Sequence, residues 1–387
     1  MKILYAAIDQ RVPGTIGGAV HVTAVAEGLV ALGHDVHVLA SPGDGPFPKY
    51  AGWEAMTPPL GLRQLRWLRA GRVIEVARRV RPDVVIERYY NFGGEGMRAA
   101  QAVGALAVLE VNAPVVDHAG SPKRWLDRAL LVEPMRRWRD WQCRAADVIV
   151  TPSAGIVPAW ARDRAVEIEW GADTTRFRPD ALGPVPFARE AGELVVIFAG
   201  AFRRWHGAVH LVEAIRRLRA RGHRDIRAVF VGDGPERENV RRAAEGLDGV
   251  VLAGAVAHER MPACLAAADV GVAPFDVEAH GPLRLGFYWS PLKVFEYMAA
   301  GLPVVAPDLD RLRGIVRHER EGLLYDARDP DGLASAIERL KDPREREALG
   351  RAARERVVRE FGWDVHCRRL EAAILNARQR RGAGRRE

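Results

Sequence analysis

At 387 residues the chain exceeds what one ordinary core organises and suits two domains of roughly 150–200 residues each. With 48% apolar and 28% charged residues it is excluded from the disordered class, and a formal charge of +8 favours anionic partners such as phosphates, nucleotide sugars or acidic lipid surfaces. Only five of the 58 basic residues are lysine, an arginine bias that genomic base composition can produce, so arginine number alone assigns nothing. Lys2–Ile8 reads as a short buried strand, cut off by Asp9 too early for the core of a signal peptide. A glycine-bearing loop, Pro13–Gly18, leads to a helix over Ala19–Leu32 that stops at Gly33, followed by a strand at Val36–Ala40. The second half repeats this grammar: strand Leu194–Ala199, loop Gly200–Gly207, helix Ala208–Gly222, strand Arg227–Val231. Strands alternating with amphipathic helices imply parallel sheets in each half.

Periodicity fails over Asp180–Gly192, where proline and glycine cluster. The expected organisation is therefore an N-terminal domain over 1–182, a C-terminal domain over 183–362, and a segment over 363–387. In that last segment a helix over Val365–Arg378 packs back on the first domain and a basic tail, Gln379–Glu387, frays. No stretch approaches the roughly 18 apolar residues of a membrane span. Cys143, Cys264 and Cys367 are scattered without a C-x-x-C pair, which argues against a disulfide framework or a zinc site. The chain reads as cytoplasmic, and no nucleic-acid motif accompanies its charge.

Two segments carry candidate chemistry. Gly200–Gly207 (GAFRRWHG) joins a strand to a helix, where glycines let backbone approach an anion and the helix start adds partial positive charge. Arg203, Arg204 and His206 are its candidate diphosphate contacts, the alternative being a plain solvated loop. In Ser290–Asp308 (SPLKVFEYMAAGLPVVAPD), Pro291 precedes a helix over Lys293–Ala300 and a strand over Pro303–Pro307. The helix start, with Leu292, would offer its amides and Lys293 to phosphate. Glu296, one turn on, would accept hydrogen bonds from a ribose diol. A lone helical glutamate is more often simply exposed.

The run LKVFEYMAAGLPVVA resembles the donor-site segment of the retaining glycosyltransferase family four, the glycosyltransferases group 1. GGAVHVTAVAEGLVALGHDVHVL resembles that family's first loop and helix, and EIEWGADTTRFRPD its interdomain stretch. VVLAGAVAHERMPACLAAADVGVAPF resembles its base-binding strand and the helix after it, which places Val256 in the base site. Four such segments in order imply an α/β fold of GT-B type, two Rossmann-like domains facing each other across a cleft. They imply no particular sugar. By the resemblance Glu296 is the ribose-binding second Glu of E-x7-E, whose first position is Tyr288. The phosphate pattern G-R-x-x-x-x-K-G falls on Gly200–Gly207, with Ala201 and His206 at the charged positions, so Arg203 is read as supplying the missing charge.

Gly17 and Gly18 resemble the loop that approaches the donor phosphate, and Asn112 stands where many members carry a histidine. Asn112 and His118 are the candidate catalytic residues. Glu87, Arg88 and Glu110 are candidate acceptor contacts, although each alone is more often structural. Asp308-Leu-Asp310 spells D-x-D and reads as coincidence, so neither a metal nor a resident cofactor is expected, with a nucleotide-diphosphate sugar as co-substrate. The basic, Trp-bearing segments 60–81 (Leu65, Trp67, Leu68 amid Arg63, Arg66, Arg69, Arg72) and 122–145 (Trp125, Leu126, Leu130, Trp138, Trp141) have two readings. The preferred one is a core-facing stripe beneath solvated arginines. The other is peripheral contact with an anionic membrane at its inner face. The implied activity is transfer of a sugar to an acceptor hydroxyl with retention of configuration, the acceptor being a glycan, a lipid-linked sugar or a small metabolite. The rivals are a non-catalytic nucleotide-sugar-binding protein or an epimerase of the same fold.

Overall fold

The structure is a computed structural model that describes residues 1–118, 121 and 133–383. Contacts divide the chain into two compact units: unit 1 comprises Met1–Trp170, Tyr288–Ser290 and the chain from Trp363 onward, and unit 2 comprises Gly171–Phe287 and Pro291–Gly362. The chain thus passes into unit 2 at Trp170–Gly171, ahead of the Pro- and Gly-rich stretch Asp180–Gly192. That stretch is not a free linker. Arg260 donates to the Pro184 carbonyl at 3.1 Å and Arg189 to Asp269 at 2.9 Å, which ties it to unit 2.

Unit 1 is built on strands β1 (Lys2–Val12), β2 (Asp35–Pro42), β3 (Gly52–Ala55), β4 (Val84–Arg88), β5 (Leu106–Glu110), β6 (Val148–Thr151) and β7 (Ala165–Glu167). They lie in the order β3-β2-β1-β4-β5-β6-β7, every pair parallel. Helices α1 (Gly17–Ala31), α2 (Ala70–Val80), α3 (Glu95–Val103) and α4 (Glu133–Ala145) accompany the sheet. Strands β4 and β5 are buried throughout, as parallel strands covered on both faces must be.

Unit 2 repeats the plan with β8 (Leu194–Ala199), β9 (Ile226–Val231), β10 (Val250–Gly254), β11 (Val270–Val272), β12 (Val304–Pro307) and β13 (Gly322–Tyr325), in the order β10-β9-β8-β11-β12-β13 and again parallel. Its helices are α5 (Ala208–Ala220), α6 (Arg237–Ala243), α7 (Met261–Ala266), α8 (Leu292–Ala299), α9 (Asp310–Ile315), α10 (Gly332–Arg339) and α11 (Pro343–Glu360). The core fills with Val196, Phe198, Leu211, Ile215, Phe230 and Val305 from β8, α5, β9 and β12.

The last helix, α12 (Trp363–Ala383), extends past the expected end at Arg378. Arg381 explains the extension: its guanidinium donates to the carbonyls of Ala105 at 2.7 Å and Gly104 at 3.3 Å, beyond α3, so Gln379–Ala383 stay helical. Residues 384–387 of the expected tail lie outside the described residues. No helix among the described residues is long and apolar enough to cross a membrane. All three cysteines are free and buried, and burial pushes their thiols up, those of Cys143 and Cys367 to about 12.

Candidate functional site

In an open parallel sheet, ligands bind beyond the carboxyl ends of the strands where the strand order reverses. In unit 2 that point lies between β8 and β11. Tyr297 fixes α8 there: its hydroxyl accepts from the Ala199 amide at 2.8 Å and donates to the Val272 carbonyl at 3.4 Å, bridging the ends of both strands. The close approach requires a glycine, since a Cβ on Gly271 would come within 2.4 Å of the Tyr297 ring. No side chain caps the start of α8 after Pro291, and Leu292 is half-buried at its first position. The amides of Leu292 and Lys293 have no intrahelical acceptor, whereas that of Val294 donates to the Pro291 carbonyl at 2.8 Å.

Lys293 is buried, its Nζ 4.1 Å from the Phe198 ring centre and 5.7 Å from that of Phe275, with no hydrogen-bond partner among the described residues. Glu296, a turn on, lies 3.6 Å from His258 Nε2, and the His258 ring meets Phe177 edge-on at 5.8 Å. Val256 is half-buried in the loop that follows β10.

The loop after β8 carries the other predicted contacts. Arg203 and Arg204 are exposed, with the Arg203 guanidinium 5.5 Å from the Trp205 ring. Gly207 takes a left-handed φ of 70° at the start of α5, where a Cβ would collide with the Pro274 carbonyl at 1.7 Å. His206 donates from Nδ1 to the Ala201 carbonyl at 2.5 Å. Burial, and then the positive charge of Lys293, lower its imidazole to about 3, with Arg203 adding to the effect. At neutral pH His206 therefore offers a lone pair at Nε2 and no positive charge. The cation that a strand–helix phosphate loop needs is not on this histidine.

In unit 1 the strand order reverses between β1 and β4. Glu87 and Arg88 end β4 and point to opposite faces, as neighbours on a strand do. Arg88 donates to Glu110 at 2.8 Å and to His21 Nδ1 at 3.2 Å. Tyr5 and the Asn112 amide also donate to Glu110, and Trp170 Nε1 donates to Asn112 Oδ1 at 2.9 Å. The His21 ring lies 4.4 Å from that of Trp170. Burial, with help from Arg88 and His366, holds His21 well below its usual pKa, so it is a neutral acceptor toward Arg88. Gly17 and Gly18 open α1, and Gly18 lies against Gln10 and Arg88. His118 is half-buried in the loop after β5.

Glu87 belongs to a different cluster. It is fully buried and accepts from the amides of Gly94 at 2.5 Å and Met97 at 2.8 Å at the start of α3, which leaves no face for an acceptor sugar. Arg66, read as a solvated arginine, is also fully buried. Its guanidinium donates to Glu95 at 2.7 Å, Asp9 at 2.8 Å and the Arg88 carbonyl at 3.1 Å. Burial works against its charge, but Glu95, Asp9 and Glu87 outweigh burial and raise its pKa.

Residues 193–342 match the family Glycosyl transferases group 1, and residues 16–176 match Glycosyltransferase Family 4. The chain belongs to the family-four glycosyltransferases. Among curated proteins, a GDP-mannose-dependent alpha-(1-6)-phosphatidylinositol monomannoside mannosyltransferase of Mycobacterium tuberculosis is 34% identical over 52% of this chain and 53% of its own. The chain thus spans about half the length of that relative. The glycogen synthase of Mycobacterium tuberculosis is 26% identical over 95% of this chain and 93% of its own. Sucrose-phosphate synthase from Thermosynechococcus elongatus superposes with a TM-score of 0.72 at 22% identity, covering 99% of both chains. The fold of this family-four member is GT-B, two parallel α/β units of seven and six strands.

Sequence reasoning missed His21, Arg66, Tyr297 and His258. His21 had a signal: it falls on the apolar stripe Ala19, Val22, Val25, Ala26, Leu29 of α1, where a polar ring needs a buried partner. Asp308 of the D-x-D run binds Arg313 through both carboxylate oxygens, at 2.5 and 2.9 Å.

Proposed function

We propose that the chain is a glycosyltransferase that moves a sugar from a nucleotide-diphosphate sugar to an acceptor hydroxyl, with retention of anomeric configuration and without a metal. The bond from the anomeric carbon to the diphosphate oxygen breaks, the acceptor oxygen takes its place, and the acceptor proton leaves. The observation that carries this reading is the placing of Lys293 and Glu296 one turn apart on α8, at the point in unit 2 where strand order reverses. The α8 amides and Lys293 suit the diphosphate, Glu296 the ribose diol, and the loop around Val256 the base. Arg203 and Arg204 reach solvent from the loop after β8 and add positive charge at its mouth. Charge left on the departing diphosphate is met by fixed dipoles and cations, the largest single source of rate in many transfers. In unit 1, Arg88, Glu110 and Asn112 form a rigid polar set near Gly17 and Gly18 that suits a hydroxylated acceptor, with His118 on the adjoining loop. Domain roles follow: unit 2 binds donor and unit 1 binds acceptor.

The test is a thermal-shift screen against UDP, GDP, ADP and NAD. One nucleoside diphosphate is expected to stabilise unit 2, by about 2.7 kcal/mol at a hundredfold excess over its Kd. The matching nucleotide sugar is then turned over, its product anomer read by NMR with and without chelator. The GDP-mannose dependence named for the mycobacterial relative puts GDP first in the screen. A response to NAD alone overturns the reading, and binding without turnover favours a non-catalytic sugar-nucleotide binder.

A membrane-facing acceptor is consistent with one surface of unit 1. Leu60, Leu62, Trp67 and Leu68 are 88%, 50%, 41% and 51% exposed beside the exposed Arg63. Such a patch suits an anionic bilayer. Trp138 and Trp141 do not join it: Trp138 donates to the Gly93 carbonyl at 2.9 Å, and Arg98 covers both rings. Trp125, Leu126 and Leu130 lie outside the described residues. Wild-type protein should co-sediment with phosphatidylglycerol vesicles at low salt, and Trp67→Ser with Leu68→Ser should weaken that binding about tenfold. Equal sedimentation of the two proteins would remove this surface from consideration.

A further inference from the structure

Besides the exposed Arg204, three groups could carry positive charge to an anion at the reversal point of unit 2. His206 is neutral, with its Nδ1 proton committed to Ala201. Arg203 is exposed and stands over Trp205. Lys293 alone is buried, and its Nζ touches ring faces rather than acceptors. The same Nζ borders the open side of Gly200, 3.5 Å from where a Cβ would stand, at the end of β8. An ammonium has three donors and no acceptor, and leaving all three unmet in an apolar niche is costly. The Phe198 face returns part of that cost to a charged group. The remaining titratable groups are few: Glu296 on the same helix favours the charged form, Tyr297 is engaged with β8 and β11, and His206 and Arg203 lie across the loop. Burial outweighs Glu296 and lowers the Lys293 amine to about 7.

We propose that Lys293 is a proton-linked anion receptor: at alkaline pH it is mainly a neutral amine in the empty site and takes a proton from solvent as the diphosphate of a nucleotide sugar enters, the ammonium then binding phosphate oxygen. This rests on the reading of unit 2 as the donor-binding unit. The diphosphate satisfies the donors that the niche leaves unmet, so charge on the lysine is favourable only with ligand present. Linkage fixes the sign. Above pH 7 the free protein must acquire a proton to bind, so affinity falls about tenfold for each pH unit until the bound lysine itself titrates. The diphosphate of a nucleotide sugar is fully ionised across this range and contributes no protons of its own.

The experiment is titration calorimetry of the full chain with UDP-glucose and with GDP-mannose at pH 8, in HEPES and in Tris buffer, whose ionisation enthalpies differ. The sugar nucleotide that binds is expected to take up close to one proton per site, with affinity falling about tenfold from pH 8 to pH 9. Lys293→Met, which fills the apolar niche and should fold normally by circular dichroism, is expected to bind at least tenfold more weakly and without proton uptake. Lys293→Arg cannot lose its charge and is expected to bind without proton uptake as well. Tight binding by wild type and Lys293→Met alike, with no proton exchange, would overturn the inference and leave the donor-binding reading standing. Failure of these two sugar nucleotides and of ADP-glucose to bind would overturn the two together.

Discussion

Arg66→Met is expected to remove about 3–5 kcal/mol from the stability of unit 1, the cost of stranding buried charge. The guanidinium is the shared cation of Asp9, Glu87 and Glu95, all buried with it, and it also donates to the Arg88 carbonyl on β4. Methionine fills the volume but leaves the buried carboxyl groups of Asp9, Glu87 and Glu95 without the cation they share. Urea denaturation followed by tryptophan fluorescence should show the loss, because unit 1 holds Trp53, Trp67, Trp138 and Trp141. Arg63→Met, three residues earlier and exposed, is expected to change stability by less than about 0.5 kcal/mol. Equal stability of Arg66→Met and wild type would mean that the carboxylates take up protons and stay buried, since Glu87 is already raised by burial and by Glu95.

Glu296→Ala is expected to lower donor affinity, and with it kcat/KM, about a hundredfold. Two hydrogen bonds from a ribose diol to a carboxylate, each worth about 1.5–3 kcal/mol, come at the lower end to about 3 kcal/mol, which corresponds to a factor of a hundred or slightly more. The discriminating readout is the sugar. Wild type should reject the 2′-deoxy nucleotide by at least tenfold, whereas Glu296→Ala should bind deoxy and ribo forms alike. If the alanine variant kept the preference, the diol would be bound elsewhere and Glu296 would be an ordinary helical glutamate paired with His258 at 3.6 Å.

The strands at Lys2–Ile8, Val36–Ala40, Leu194–Ala199, Arg227–Val231 and Pro303–Pro307 were legible because parallel strands covered on two sides must be continuously apolar. Leu194–Ala199 is a strand at the predicted residues, and α8 begins one residue before its predicted start. The charged ends of β4 were not legible. Glu87 and Arg88 break the apolar pattern, and only a partner far away in sequence, such as Arg66 or Glu110, makes their burial tolerable. Arg66 was hidden for a related reason. In a chain with 53 arginines nothing local separates a buried one from those that coat the surface. For the candidate site, the residue types on α8 were readable, whereas the state of His206 was not. Its neutrality comes from burial, Lys293 and Arg203, which outweigh the Ala201 carbonyl that favours the charged form, and only the fold brings these together.

The burial of Cys143, Cys264 and Cys367 has a practical side. With their thiols raised and shielded, none presents the thiolate that maleimide or iodoacetamide chemistry attacks at neutral pH. The natural chain is therefore a silent background for covalent labelling. A single cysteine placed on an open position such as Leu182, which is 96% exposed, would carry a fluorophore or spin label alone, with no native cysteine removed.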